Sequence, residues 1–429
     1  MKQRKVAFLT LGCKTNQYET NGMMQRFKNA GYEICEIEDI PDIYVVNTCT
    51  VTNIADRKSR QLLRRVKNNN TIVVACGCYA QIAKEKLEEI PEIDIVLGNK
   101  EKKDIVEYVE KYLKNSENKI IDVADISKQK EFDEYGCVTY TEKARTTIKI
   151  QDGCNNFCSY CLIPYARGRI RSRKKENILN EVENIAKKGI REIVLTGIHI
   201  ASYGKDFEKE YKLIDLLEDL NNVEGIERIR LGSLEPSLIT EEFTNRLVKL
   251  DKICNHFHLS LQSGCNETLK RMNRKYTTEE FKEVTERLRK SFKDVNLTTD
   301  VIVGFPGETE EEFGKTYEFL KDIAFYKMHV FKYSKRDGTV AEKMPNQIDG
   351  NVSEERSRKL INLSNENQLM YNKKFIGKTL DVLFEEKQGE FWTGHTTNYM
   401  VVKMKSEKNL ENKILSVKIA EVNNEELMA

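Results

Sequence analysis

From residue 5 to residue 333 the chain repeats one unit, a short apolar run followed by a stretch of helical period. The apolar runs span 5–13, 43–49, 71–78 and 93–98, then 146–151, 190–197, 226–232, 256–262, 295–304 and 326–333. Helical period fills 18–30, 56–67, 84–90 and 103–113, then 177–188, 212–220, 241–250, 278–292 and 310–322. Parallel strands need crossover connections, so this alternation predicts parallel sheets faced by helices. Capping boxes mark two helix starts, Thr277 with Glu280 and Thr309 with Glu312.

The first four units read as an N-terminal parallel-sheet α/β domain, residues 1–114. Residues 115–143 are polar and read as a linker holding one short strand, 119–123. The next six units, within 144–370, predict a partial (β/α)6 barrel, shorter than the roughly 250 residues of an eight-unit barrel. A charged helix is expected at 354–374. Beyond it, residues 379–385, 391–397, 399–405 and 414–422 alternate apolar and polar, which predicts a small antiparallel β-barrel over 371–429.

Cys154, Cys158 and Cys161 stand in the spacing CxxxCxxC, with Tyr160 before the last. With 11 cysteines in the chain, composition alone yields this spacing about 0.007 times. Three thiolates without a fourth leave one iron of a [4Fe–4S] cluster open, as a catalytic zinc site keeps a position for substrate. The alternatives are a structural zinc site short of a ligand, or buried apolar cysteines. Cys13, Cys49 and Cys78 each end an apolar run of the first domain. Ligands bind beyond the carboxyl ends of parallel strands, so these three are expected to converge, unless they are small buried hydrophobes. Cys76 shares a strand face with Cys78 by spacing, and Gly77-Cys78 at the turn is the better ligand candidate. Cys137, Cys254 and Cys265 read as structural.

Charged residues are 32% and hydrophobic ones 39%, the balance of a soluble globular protein. No apolar run reaches the length of a membrane helix, and the N-terminus lacks signal-peptide features. A cytoplasmic protein with no membrane partner is expected. An odd cysteine count points to metal or reactive thiols rather than a disulfide framework. A net charge of +2 excludes bulk attraction to polyanions and requires a local patch for any nucleic-acid partner. Arg167, Arg169, Arg171, Arg173, Lys174 and Lys175 supply one beside the cysteine loop. Such a run is usually a solvated face, but this placement suits phosphate contacts at a reactive site. Residues 372–429 balance 9 basic against 9 acidic side chains, which leaves RNA contact there to shape, to stacking on Phe391, Trp392 or Tyr399, and to a local patch.

The motif Gly153–Cys161 resembles the radical S-adenosylmethionine (SAM) superfamily, whose three cysteines hold a cluster with SAM on the open iron. Reduction there cleaves SAM to a 5′-deoxyadenosyl radical. Leu11-Gly12-Cys13-Lys14-Thr15-Asn16, Asn47-Thr48-Cys49-Thr50 and Gly77-Cys78-Tyr79-Ala80-Gln81 resemble the N-terminal motifs of the methylthiotransferases. That resemblance implies a radical SAM barrel followed by a small RNA-binding TRAM domain. It implies two [4Fe–4S] clusters, the second held by Cys13, Cys49 and Cys78. Tyr160, Thr196, Gly197, Ser233, Gln262, Ile302 and Gly304 would line the SAM pocket, and Arg167, Arg169, Arg171 and Arg173 would hold RNA. His199, His256 and His258 read as pocket wall or core packing. The sequences of Gly153–Gly168 and Leu195–His199 favour the branch that methylthiolates C2 of N6-threonylcarbamoyladenosine at position 37 of tRNA. The implied partners are a tRNA anticodon stem-loop and a reduced electron donor such as flavodoxin or ferredoxin. Chemistry borne by cofactors leaves no side chain assigned as general acid or base. The rivals are isopentenyladenosine in tRNA, an aspartate of a ribosomal protein, and, in another class, an RNA-binding protein with structural metal.

Overall fold

A computed structural model describes residues 3–67, 71–115, 118–138, 144–423 and 425–429. The parallel-sheet architecture expected from the alternation is present. The first sheet holds six parallel strands in the order 33–34, 5–10, 43–48, 72–77, 95–97, 120–122. Its central strands are buried on both faces: Ile43–Thr48 has no exposed residue, as a sheet covered by helices requires. One core packs Val6, Tyr18, Phe27, Val45 and Val109 on one face, and another packs Val46, Leu63, Val73 and Leu87 on the other. The strand Ile120–Asp122 pairs with Ile95–Leu97, so the first sheet runs past residue 114 into the stretch read as linker. Tyr135 from that stretch packs edge-on against Tyr18, over the bare Gly22. The linker residues 116–117 and 139–143 lie outside the described residues.

Six further parallel strands follow in two sets of three: 145–149, 192–196 and 228–231, then 256–262, 296–303 and 327–332. Bridges Ile229–Ile253 and Leu234–Leu259 join the sets into one arc, the partial barrel. Along Asn296–Val303, Leu297, Val301 and Val303 pack outward under the helices, and Thr298, Asp300 and Ile302 take the inner face. Both expected capping boxes form, at Thr277 and Thr309. The helix Asn266–Arg271 was not anticipated; at 6 residues it is too short to present a helical period.

The last segment is a six-stranded, mostly antiparallel sheet in the order 413–418, 379–388, 391–396, 401–405, 426–428, 421–423, with one parallel pairing between 401–405 and 426–428. It docks on the amino-terminal end of the barrel strands. Arg228 donates to the carbonyls of His395 (3.0 Å) and Asp381 (2.9 Å), and Arg230 to those of Thr397 (3.0 Å) and Thr396 (3.2 Å). Tyr399, held at φ 68°, sits between the His256 and His395 rings, under Arg145 and Arg230. Trp392 is buried in the domain core. Stacking of RNA bases on Trp392 or Tyr399 is therefore corrected: both rings are already spent on packing. The opposite, carboxyl-terminal end of the barrel faces the first domain.

Candidate active site

Cys154, Cys158 and Cys161 lie on the loop that leaves the first barrel strand. Two positive-φ residues shape it, Gly153 (72°) and Phe157 (47°). A side chain at Gly153 would overlap the Arg169 carbonyl, so this position takes only glycine. The amide of Cys154 donates to Gly168 O (3.1 Å), and that of Asn156 turns back to Cys154 Sγ (3.5 Å). Arg274 Nη1 donates to Cys158 Sγ at 3.3 Å, and the same guanidinium pairs with Glu235 at 2.7 Å. Glu235 also accepts from Asn156 (2.7 Å) and pairs with His199. Burial alone would raise the Glu235 pKa; His199 and Arg274 outweigh it and hold the carboxyl down at about 2. His199, read from sequence as pocket wall, thus braces the cysteine loop through Glu235. Gln151 stands at the carboxyl end of the first barrel strand, where the site was expected, though it was not among the residues named for the SAM pocket. It spans the first two barrel turns, donating to the Asp152 and Gly153 carbonyls (2.7 Å each) and accepting from His199 N (2.7 Å).

The first domain brings its three cysteines to the carboxyl ends of three strands. Cys13 caps the helix Lys14–Asn29, Cys49 follows the strand Ile43–Thr48, and Cys78 opens the helix Cys78–Ile82. The thiols lie close enough that Cys78 and Cys13 both act electrostatically on Cys49, whose pKa burial pushes up to about 11. A Cβ on Gly12, at φ 99°, would come within 2.6 Å of Cys49 Sγ, so glycine is what lets the first turn close on the second. Gly77 (φ 96°) breaks the strand, and alternation does not carry across it. Cys76 is fully buried in the apolar core with its thiol toward Val46 O (3.8 Å), while Cys78 turns out to the site. Cys137, Cys254 and Cys265 all lie away from both triads.

The basic run is placed differently from its expectation. Arg167, Arg171 and Arg173 are almost wholly buried, at 0%, 1% and 1% exposure, and only Arg169 of the four arginines is exposed. Arg167 Nε donates to Cys78 Sγ at 3.2 Å. Its other nitrogens bind Glu19 (2.6 Å), Asn16 (2.5 Å) and Asp152 (3.2 Å). Lys102 and Lys149 join the same Glu19, and Lys149 and Arg171 the same Asp152. Burial would raise the Glu19 pKa; Arg167, Lys102 and Lys149 overcome it and hold the carboxyl well below its usual range. Arg173 pairs with Glu181 (2.7 Å) and Glu134 (2.9 Å). The reading of Arg167, Arg171 and Arg173 as a phosphate surface is corrected. A run of alternating arginines looks solvated in sequence, but here Arg167, Arg171 and Arg173 thread the seam between the domains, where each of these three guanidinium groups has buried oxygen partners.

That network holds four cations, Lys102, Lys149, Arg167 and Arg171, against Glu19 and Asp152, with the buried Asp133 acting on Lys149 and Arg171 from beside it, so the cations still outnumber the carboxylates. Buried surplus charge is expensive unless an anion answers it. Cys78 lies in direct contact with it, and a [4Fe–4S] cluster on three thiolates, net anionic, would add negative charge there. The donor set therefore fits a cluster in the first domain. The core loop fits one too, with Arg274 as the donor to sulfur.

Comparison with known proteins follows the same division. Residues 148–320 match the model of the radical SAM superfamily, and residues 5–98 that of an uncharacterised family designated UPF0004. The threonylcarbamoyladenosine tRNA methylthiotransferase MtaB of Bacillus subtilis is 44% identical over 96% of this chain and 93% of its own length. That of Aquifex aeolicus is 42% identical over 95% and 98%. The tRNA-2-methylthio-N(6)-dimethylallyladenosine synthase of Clostridium novyi is 36% identical over 96% and 93%. The chain belongs to the radical SAM methylthiotransferase family. Its fold is similar to the radical SAM methyltransferase TsrM of Kitasatospora setae, with TM-score 0.57 at 14% identity, covering 79% of this chain and 77% of that one.

Around the mouth of this methylthiotransferase barrel, Tyr160 and Ile302 share a small apolar cluster with Phe305, Met272 and Ala341. Thr196 is buried, Gly197 and Gln262 are half-buried, and Ser233 is exposed, all at strand ends. Gly304 donates to Glu308 (2.7 Å), and the space a side chain would take there is filled by Ser353. A separate cavity of about 510 Å³ is lined by Tyr203, Phe207, Tyr211 and Phe243, and no cysteine borders it. Among the described residues no helix is long and apolar enough to cross a membrane.

Proposed function

We propose that this chain methylthiolates C2 of N6-threonylcarbamoyladenosine at position 37 of tRNA, beside the anticodon. The observation that carries the reading is identity of 44% across nearly the whole of a methylthiotransferase that bears that name, above the 36% found with the dimethylallyladenosine enzyme of Clostridium novyi. Cys154, Cys158 and Cys161 hold the cluster that engages SAM, and Cys13, Cys49 and Cys78 hold the second. When bound, these groups supply one-electron reduction, the carbon radical, and the sulfur and methyl to be transferred.

The chain's own residues do the positioning. Arg274 and Arg167 donate to one cysteine of each triad, 3.3 Å from Cys158 and 3.2 Å from Cys78, which orients the ligands and offsets their charge. Tyr160, Thr196, Gly197, Ser233, Gln262, Ile302 and Gly304 form the SAM pocket at the strand ends. Their placement around the core loop supports this, with Gly304 contributing backbone through a turn closed by Ser353. Arg169, exposed over the Phe157 ring at 4.6 Å, remains the arginine of the basic run able to meet an anticodon stem-loop. A flavodoxin- or ferredoxin-like protein delivers the electron, and the chain works in the cytoplasm. Nucleoside mass spectrometry of tRNA from a strain lacking the gene tests the reading. The 2-methylthio form of threonylcarbamoyladenosine should vanish while the isopentenyl form persists; the reverse would assign the other branch.

A further inference from the structure

With most of the expected RNA run buried, the positive charge that faces solvent near the cysteines lies elsewhere. Six cations fall between residues 57 and 67, on and just past the helix Asn53–Arg65. At 100° per residue, Ile54, Arg57, Lys58, Gln61, Arg64 and Arg65 share one stripe about 120° wide. All six are exposed, while Ser59 and Leu63 on the opposite side are buried. The acid of this helix is already used, since Asp56 pairs with Arg336 at 2.9 Å. Lys67 pairs with Asp94 at 2.6 Å, and Arg60 is turned onto the Tyr79 hydroxyl at 2.6 Å. Among the described residues Arg57, Lys58, Arg64 and Arg65 have no carboxylate partner. Arg64 and Arg65 complement the helix dipole in the last turn, but Arg57 and Lys58, further back, gain nothing from it.

The helix is also fixed beside the reactive site. It begins four residues after Cys49, and Asn53 ties its start to the barrel through Lys335 O (2.5 Å) and Ser334 Oγ (3.2 Å). Val51 and Ile54, at 59% and 58% exposure, stand between the cysteine and the cationic stripe. We propose that Arg57, Lys58, Arg64 and Arg65 hold the tRNA sugar–phosphate backbone, with Val51 and Ile54 against unstacked bases at the inner end. The inference rests on the reading that the chain acts on tRNA. An acidic protein would meet the same charge, but two features favour RNA. Three of the four cations are arginine, which grips phosphate with two donors, and the stripe leads to the Cys49 turn rather than the core loop where an electron enters.

The test is fluorescence anisotropy of a labelled tRNA anticodon stem-loop carrying threonylcarbamoyladenosine, titrated with the iron-loaded full chain over a salt series. Replacing Arg57, Lys58, Arg64 and Arg65 by Gln should raise Kd at least tenfold. The slope of log K against log salt should become shallower by about 0.7–0.9 for each phosphate that is no longer neutralised. A Lys290→Gln, Lys293→Gln variant should bind as the native chain does. Iron content and thermal unfolding check the fold, and the pair Arg64→Gln, Arg65→Gln replaces the fourfold variant if that misfolds. Unchanged Kd and slope would overturn the proposal. So would unchanged tRNA binding with slowed reduction by flavodoxin, which would assign the stripe to a protein donor. A native chain with no tRNA affinity at all would instead refute the underlying reading.

Discussion

The two cysteine triads do similar work on opposite structural terms. The core triad comes from one loop of eight residues, Cys154 to Cys161, and its arginine is matched by Glu235, with His199 behind. The N-terminal triad is assembled from three strand ends spread over 66 positions of sequence, and its arginine belongs to the neighbouring domain. One site is preassembled by local backbone geometry. The other exists only when the first sheet is folded and docked, with Arg167 as the pin and buried cations in excess of carboxylates around it. The difference teaches that the second site doubles as the interdomain joint, so damage there should propagate into stability in a way damage to the core loop does not.

The largest test of that contrast removes one ligand from each triad. Cys154→Ala should abolish SAM cleavage, measured as 5′-deoxyadenosine, while Cys49→Ala should leave cleavage that is uncoupled from tRNA modification. Each variant should retain about half of the roughly eight irons of two [4Fe–4S] clusters. Loss of cleavage in both would erase the division of labour between the sites. Next, Arg167→Met removes at once the hydrogen bonds to Cys78, Asn16, Glu19 and Asp152, with Lys149 still bridging the two carboxylates, and should cost about 3–5 kcal/mol in thermal or denaturant unfolding. Arg167→Lys, which keeps charge but loses the fork, should cost less. An unchanged unfolding midpoint would mean the joint is held by apolar packing alone.

A smaller effect is expected at Gly77, where alanine would be strained at φ 96° and would press within 2.7 Å of Thr48 O. About 1–3 kcal/mol of strain should appear, together with iron loss from the N-terminal site only, read by iron content beside normal SAM cleavage. The smallest is Tyr399→Ala. Removing a ring packed between two histidines and covered by two arginines should lower stability by about 1–2 kcal/mol and leave tRNA affinity unchanged. A drop in affinity at constant stability would return Tyr399 to RNA stacking.

Much of this was legible in the sequence. All six barrel strands and both capping boxes were expected where they occur, because apolar period and cap chemistry are local. The strand-end cysteines were legible as a class, since parallel topology sends carboxyl ends to one side of a sheet. The turn chemistry of Gly77-Cys78 rightly singled out Cys78 over Cys76, but the shared face assigned to the two was not real, because alternation was counted through Gly77, whose positive φ ends the strand. The arginines misled for a deeper reason. A charged residue in sequence carries no mark of whether its partners come from solvent or from a domain more than a hundred residues away, as Glu19 does for Arg167.

By itself the sequence determined the alternating α/β architecture, the self-contained core triad and the nearly neutral overall charge, because each depends on residue type and short-range spacing. Tertiary structure alone decided that Arg167, Arg171 and Arg173 are buried ties, that Tyr399 seals the amino-terminal end of the barrel, and that the helix Asn53–Arg65 carries the open cationic face. Burial and ion pairing are set by which surfaces meet, and that depends on long-range packing that no local pattern encodes.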